Sequence, residues 1–313
     1  MKCILCENSL FKKEKYFFGF SLNSKYIYIC NKCNLGKIKY DKNLIKNFYA
    51  LSDSKIVDYN FSLNKVKSES PVHIYLEAGK KYTNINNVLD IGSGNGHFLF
   101  SVQQNQIDYL GIEPSTQKVE NSKKIGVNKV LNVGLEEFLD NNNLNQKFDL
   151  IFLNQVFEHL EDPLLKLKKL KNLLSKNGII IIVVPNCNKN YYQCRADDHA
   201  PHLTFWNESS LKLMANKMDF ISLEMGSCGH VLKKNNFLRL KNIFRHLFGW
   251  FIKDYLHFLY SYLKEKKTQK ITNIKVITIK REINNFLNSY NLHQLHNNNF
   301  DQVHIYTILK NKN

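Results

Sequence analysis

The chain has 313 residues and 44 Lys and Arg against 27 Asp and Glu, a formal charge of +17. No run of about 18 apolar residues offers a membrane-spanning helix, and the start, Met-Lys-Cys-Ile-Leu-Cys, lacks the apolar core of a secretory signal. Seven cysteines, an odd number in a chain expected to stay in the reducing cytoplasm, argue against a disulfide framework. The basic residues are nearly all scattered Lys, with Arg only at 195, 239, 245 and 281. That pattern reads as compositional bias rather than a nucleic-acid groove. An acidic or phosphorylated small substrate would use the same field.

In chain order, Cys3-x-x-Cys6 and Cys30-x-x-Cys33 come first and bracket two β-rich runs, Lys15–Phe20 and Lys25–Ile29, with Leu22-Asn23-Ser24 as the turn. Two such knuckles joined by a hairpin supply four thiolates in tetrahedral geometry, a closed structural zinc site. Redox chemistry is the rival and needs only one pair. A module of residues 1–40 has too little core to stand alone, so the metal would supply folding energy. Cys187, Cys194 and Cys228 have no ligand spacing and read as ordinary thiols.

Residues 41–85 form a helical connector, with Ser70-Pro71 as an N-cap and first-turn proline. From there strands and helices alternate: strand 88–91, helix 96–105, strand 108–113, helix 115–125, strand 129–133, helix 135–140, strand 148–153. A helix from Pro163 to Ser175 follows, capped by Asp162, with Leu164, Leu167, Leu170 and Leu174 on its buried face and Gly178 ending it. The continuously apolar run Ile179–Val184 suits a strand buried on both faces. Such alternation predicts a doubly wound α/β domain over 86–228, with its ligand outside the carboxyl ends of the strands.

Residues 229–300 read as a helical insertion before a last strand and tail at 301–313. Between Phe237 and Leu263 an apolar stripe (Leu240, Phe244, Leu247, Phe251, Tyr255, Phe258, Tyr262) opposes Arg239, His246, Lys253 and His257, with Gly249 separating two helices. Packing as a lid or homodimer surface is favoured. A basic, aromatic-rich helix over 237–263 also suits peripheral contact with the inner face of a membrane.

The most informative stretch is Val88-Leu-Asp-Ile-Gly-Ser-Gly-Asn-Gly-His-Phe-Leu99. A short strand carries Asp90, Gly92, Ser93, Gly94 and Gly96 into a helix, and a second acid, Glu113, closes the next strand. Glycines there permit positive φ and close approach of a ligand to backbone. The acid stands where α/β nucleotide sites hold a ribose. A dinucleotide fingerprint needs glycine at its sixth position, which here is His97.

The Gly-x-Gly-x-Gly loop with Asp90 and Glu113 in register resembles the first motif of class I S-adenosylmethionine (SAM) dependent methyltransferases. Further stretches agree with that family: Phe148-Asp149 through Asn154-Gln155-Val-Phe-Glu158-His159 to Asp162-Pro163 looks like its fourth strand and turn, and Asn177-Gly178 to Pro185-Asn186 like its fifth. His202-Leu203, Phe205 and a capped helix from Asn207 resemble a branch that pairs a Cys-x-x-Cys module with this fold and includes bacterial glycan and small-molecule methyltransferases. The resemblance implies a seven-stranded Rossmann-like domain and SAM as cofactor. It places Gly92, Ser93, Gly94 and Gly96 by the amino-acid end, oriented by Asp90, with Glu113 on both ribose hydroxyls. Pro114 would flank the adenine, and Asn154 and Gln155 would lie near the sulfonium.

The expected reaction is methyl transfer to a hydroxyl of a sugar or glycan precursor, as in surface polysaccharide biosynthesis. Related sugar C-methyltransferases carry a further C-terminal domain for which this chain is too short, which favours oxygen over carbon. After the fifth strand, Asp197, Asp198, His199 and His202 lie within one short loop beside Tyr191 and Tyr192. His199 is the first choice of general base and His202 the second, with packing beside Phe205 and Trp206 as the alternative for His202. Glu158 and His159 read as an interior hydrogen bond fixing a turn, with an active-site role as the alternative. A metal-assisted mechanism stays open, although no His/Glu pair has convincing ligand spacing. Other readings are an RNA or protein methyltransferase whose zinc module presents the substrate, a methyltransferase of a lipid or quinone-like molecule, and a SAM-binding subunit without catalysis.

Overall fold

A computed structural model describes residues 2–15, 26–40, 73–140, 146–187, 202–228 and 304–312. Two compact units divide the chain, 1–228 with 304–313 and 229–303. The second unit, including the 237–263 stripe, lies outside the described residues, as do most of the connector, the turn at 22–24 and the candidate bases Asp198 and His199.

The first three strands, β1 (Phe11–Lys15), β2 (Tyr26–Cys30) and β3 (Gly36–Ile38), are antiparallel neighbours. After helix α1 (His73–Lys80) the alternation runs β4 (Asn87–Ile91), α2 (His97–Gln104), β5 (Asp108–Ile112), α3 (Thr116–Lys124), β6 (Val130–Leu131) and α4 (Leu135–Asp140). It continues with β7 (Phe148–Asn154), a 3-10 turn at Phe157–His159, α5 (Pro163–Lys171) and β8 (Leu174–Pro185). Then come β9 (Thr204–Phe205), α6 (Glu208–Lys217), β10 (Phe220–Cys228) and β11 (His304–Asn311).

Seven strands form one sheet in the order β10-β11-β8-β7-β4-β5-β6, parallel except for β11, which is antiparallel to both its neighbours. Alternation along each strand divides the core into two layers. Val88, Leu150, Phe152, Ile179, Ile181 and Val183 pack with Leu76, Phe98, Leu99 and Val102 of α1 and α2. Leu89, Ile91, Ile151, Leu153, Ile180 and Ile182 pack with Phe138, Leu167, Leu170, Leu211 and Met214 of α4, α5 and α6. Helices therefore cover both faces, as the doubly wound reading requires. The chain leaves β4 for β5 on one side and β7 on the other, and that reversal opens a crevice at their carboxyl ends. Among the described residues no helix is long and apolar enough to cross a membrane.

Two local expectations are corrected. Helix α5 ends at Lys171, and Leu174 already belongs to β8, pairing with Phe148. Gly178 is thus a strand residue where the ladder shifts register, and a Cβ there would lie 2.7 Å from the Phe148 carbonyl oxygen. The apolar spacing through Leu174 imitated one more helical turn. At the other end, the Asp162 side chain makes no capping bond. Its backbone turns at φ 47°, and its carbonyl accepts from Leu165 and Lys166 instead. Asn207 does cap α6, accepting from the Ser210 N–H at 2.9 Å while the Ser210 hydroxyl accepts from the Asn207 N–H.

The small sheet is not made of the N-terminal residues alone. Its order is β1-β2-β3-β9, so residues 204–205 supply its last strand, with Gly36 opposite Phe205 and Lys37 opposite Thr204. Cys3, Leu5, Cys33 and Leu35 lie in the same apolar cluster as Trp206, Leu211 and Met214. Further bonds tie the two parts together. Asn207 Nδ2 donates to the Asn34 carbonyl at 2.8 Å, the Ser209 hydroxyl to that of Cys33 at 3.2 Å, and Lys217 Nζ to that of Leu5 at 3.1 Å.

Candidate functional site

The crevice begins with the glycine loop. Asp90 sits opposite Gly111 and Ile91 opposite Ile112, so Glu113 follows one residue beyond the paired end of β5. Gly92, Gly94 and Gly96 all have positive φ (66°, 56° and 81°). The Ser93 N–H donates to the Ile112 carbonyl at 3.0 Å, fastening the loop across the strand ends. A Cβ on Gly94 would meet nothing within 4 Å, so the loop is open there. The Ser93 hydroxyl is buried without a hydrogen-bond partner among the described residues.

At Gly92 the demand for glycine is double: the left-handed backbone, and a would-be Cβ only 2.6 Å from Val156 Cγ2 in the turn after β7. Gly92→Ala is therefore expected to destabilise the fold by about 1–3 kcal/mol, read as a lower midpoint of thermal melting. Gly94→Ala, with the same backbone demand and no clash, is the milder control in the same melt.

Glu113 is 4% exposed and its two carboxylate oxygens are already oriented. Oε2 accepts from the Gly94 N–H at 2.9 Å, and Oε1 from the Ser115 N–H at 3.0 Å, with Lys118 Nζ 3.9 Å away. Each oxygen keeps a further lone pair. The turn around Pro114 is held by Asn132, whose amide donates to the carbonyls of both Glu113 and Pro114 at 3.0 Å and accepts from the Thr116 hydroxyl. A lone asparagine between elements carries no sequence signal that would single out Asn132.

Asp90 is 3% exposed. Burial, with the Glu113 charge adding to it, pushes its carboxyl well above the usual carboxylate range. Asn154 ends β7, one residue past the Ile91–Leu153 pair. Gln155 turns at φ 56° and is tied to the neighbouring strands. Its N–H donates to the Val183 carbonyl at 2.9 Å, and its side-chain Nε2 lies 3.1 Å from His304 Nδ1.

Spacing along the chain concealed a second group. Glu158 and His159, in the 3-10 turn, meet His202, which precedes β9, with one ligand atom from each within 4.8 Å of the others. The sequence has no convincing ligand spacing here because the group forms only when the fold closes the distance between two remote segments. His202 is 2% exposed, its ring 4.8 Å from that of His159 and 6.1 Å from that of Phe205.

The four N-terminal thiols also converge. Cys3, Cys6, Cys30 and Cys33 place their sulfurs within 4.8 Å of one another, with Cys3–Cys33 at 3.5 Å and Cys6–Cys30 at 3.4 Å. A zinc ion with Zn–S bonds of about 2.3 Å holds its sulfurs about 3.8 Å apart, so the donor set and its spacing fit that ion. The hydrogen bond from Cys33 lowers the pKa of Cys3 to about 4, while the Cys33 thiol is pushed up.

Comparison with known proteins bears on this architecture. The malonyl-[acyl-carrier protein] O-methyltransferase 1 of Ilyobacter polytropus is 31% identical over 161 residues, 47% of this chain and 58% of that protein. The tRNA U34 carboxymethyltransferase of Campylobacter jejuni subsp. doylei is 34% identical over 101 residues, 30% of this chain and 34% of that one. The chain thus spans between a third and three fifths of the length of these two relatives. Among solved structures, a SAM dependent methyltransferase from Archaeoglobus fulgidus aligns at 16% identity over 81% of this chain and 100% of its own, TM-score 0.45. The plantazolicin methyltransferase BpumL, in complex with SAH, aligns at 17% identity over 87% and 97%, TM-score 0.47. A profile of the family described as "Methyltransferase domain" matches residues 55–224, which includes the glycine loop, Glu113 and the turn after β7. With more than half of its length inside that match, the chain belongs to the methyltransferase-domain family.

Proposed function

We propose that this protein is a SAM-dependent O-methyltransferase whose acceptor is a hydroxyl of a small molecule, a sugar or glycan precursor. One observation carries the cofactor reading: the buried Glu113 carboxylate, fixed by two backbone N–H groups, has two lone pairs left for two vicinal ribose hydroxyls. The open glycine loop beside it suits the amino-acid end, and the buried carboxyl of Asp90 suits a cationic group. A name that includes O-methyltransferase for a relative supports oxygen as the acceptor atom. The glycan class rests on the family branch that the Cys-x-x-Cys pairs and the His202–Asn207 segment resemble. The four thiolates are assigned to a structural zinc ion.

SAM brings a methyl already activated by its positive sulfur, so the chain has to hold the acceptor in line about 3 Å from it. His199 is the proposed base for the hydroxyl proton, a contribution of roughly 10²–10⁴-fold. An RNA acceptor is the second reading, favoured by the +17 charge and by the tRNA-modifying relatives. Affinity for RNA that is appreciable near physiological salt and falls with added salt would shift the assignment to it.

Calorimetric titration of the full chain with SAM and with its demethylated product tests the cofactor. Micromolar binding is expected, and none by well-folded protein would defeat the reading. The titration also reports on Asp90. Its folded pKa is raised, so the associated stabilisation is present at acid pH and lost as pH rises through the raised value. A cation bound nearby lowers that pKa, so SAM binding should release up to about one proton wherever the free protein holds the Asp90 carboxyl protonated and the complex does not. Buffers of different ionisation enthalpy will measure it. Asp90→Asn should abolish the release and raise the melting temperature at neutral pH.

A further inference from the structure

Glu158 is 1% exposed and His202 2%, while the His159 side chain is 15% exposed. Glu158 Oε1 lies 3.8 Å from His159 Nε2, and the two imidazole rings are 4.8 Å apart at their centres. Both halves of this cluster are held by fixed backbone. The Glu158 carbonyl accepts from the Leu203 N–H at 2.9 Å and from the Thr204 hydroxyl at 3.4 Å, which ties the His202 segment to the 3-10 turn. Thr204 in turn accepts from Trp206 Nε1 at 2.8 Å, and the Trp206 ring lies 5.0 Å from that of Phe157. A carboxylate and two imidazoles form a donor set for divalent first-row metals. Three protein ligands also leave coordination positions open.

The cluster sits at the carboxyl end of β7, in the turn whose Val156 packs against Gly92 of the glycine loop. It therefore lies in the turn that adjoins the glycine loop assigned to the cofactor. We propose that Glu158, His159 and His202 bind a divalent metal ion of the Mn²⁺, Fe²⁺ or Zn²⁺ kind, separate from the four-cysteine site. The open coordination positions take the acceptor oxygen, a role that rests on the methyltransferase reading. A hydroxyl bound there loses its proton to the base more readily. Its oxygen then forms a bond to the methyl carbon as the carbon–sulfur bond breaks, leaving a neutral thioether and one proton released.

The test needs no acceptor. Full-chain protein holding one equivalent of zinc is titrated with Mn²⁺, a hard ion that thiolates bind poorly, and free Mn²⁺ is followed by electron paramagnetic resonance. One bound Mn²⁺ per chain is expected, with affinity at least tenfold weaker in Glu158→Gln and His202→Asn. Folded wild-type protein that takes up neither Mn²⁺ nor a second equivalent of Zn²⁺ or Fe²⁺ at millimolar concentration overturns the proposal. So does Mn²⁺ binding that both variants leave unchanged. Because the wild type alone decides the first outcome, misfolding of a variant does not blunt the test. A SAM titration on the same sample separates the two ideas: Mn²⁺ bound with no SAM bound would keep the metal site and remove the methyltransferase reading beneath its role.

Discussion

Glu113→Ala is expected to weaken SAM binding at least a hundredfold while leaving the protein folded. The side chain has two jobs. As an acceptor it offers one lone pair on each oxygen to the two ribose hydroxyls, and charge-assisted hydrogen bonds contribute about 1.5–3 kcal/mol each. As a brace it accepts the Gly94 and Ser115 N–H groups, so alanine also frees the loop and the turn after β5. A hundredfold corresponds to about 2.7 kcal/mol, less than the sum of two such bonds. Glu113→Gln weakens both jobs by half: an amide turns its NH₂ toward one of the two backbone donors, so one brace is lost, and the bond to the hydroxyl on that side reverses direction and loses its charge assistance. An intermediate loss is expected from Gln and the larger loss from Ala, by calorimetry. Equal binding by all three proteins would place the ribose elsewhere.

Much of this site was legible because its signals are local. Asp90, the three alternating glycines and Glu113 are each placed by a strand end and a turn, and a strand buried on both faces announces itself by composition. Asn207 was read from its own neighbourhood, since a cap needs only the next three residues. What stayed hidden depends on long-range pairing. Strand β9 is two residues long and has no period to detect, so nothing in Thr204–Phe205 signalled that it completes the sheet begun by the cysteine knuckles. Bonds from Leu203 and Thr204 to the Glu158 carbonyl carry His202 to Glu158 and His159, a convergence that spacing rules cannot see. The end of α5 is illegible for the opposite reason, because Leu174 satisfies the helical period and the strand period alike.

Removing the metal proposed for the four thiolates, by a strong chelator or by Cys33→Ser, is expected to lower the melting temperature by about 10 °C or more. Structural zinc in small modules supplies apparent binding energies of about 10–16 kcal/mol, comparable to the whole stability of a domain. Several kcal/mol lost from a domain of this size moves the midpoint by roughly 2–4 °C each. The effect should not stay within the first forty residues, since Cys3, Cys33 and Leu35 share a core with Leu211 and Met214. It should also reach the crevice by a defined route. Strand β3 pairs with β9, the Ile38 N–H donates to the Leu203 carbonyl at 3.2 Å, and the Leu203 N–H donates to the Glu158 carbonyl. Loss of the ion therefore loosens the mutual placement of His202 and Glu158, while Asp90, the glycine loop and Glu113 remain on the central strands β4 and β5. Below the new melting point, SAM affinity should change little and Mn²⁺ affinity and turnover should both fall. Elemental analysis of the purified chain together with paired melts checks the first step. Unchanged melting in protein that never held zinc would leave the four cysteines as a packed thiol cluster and sever the route.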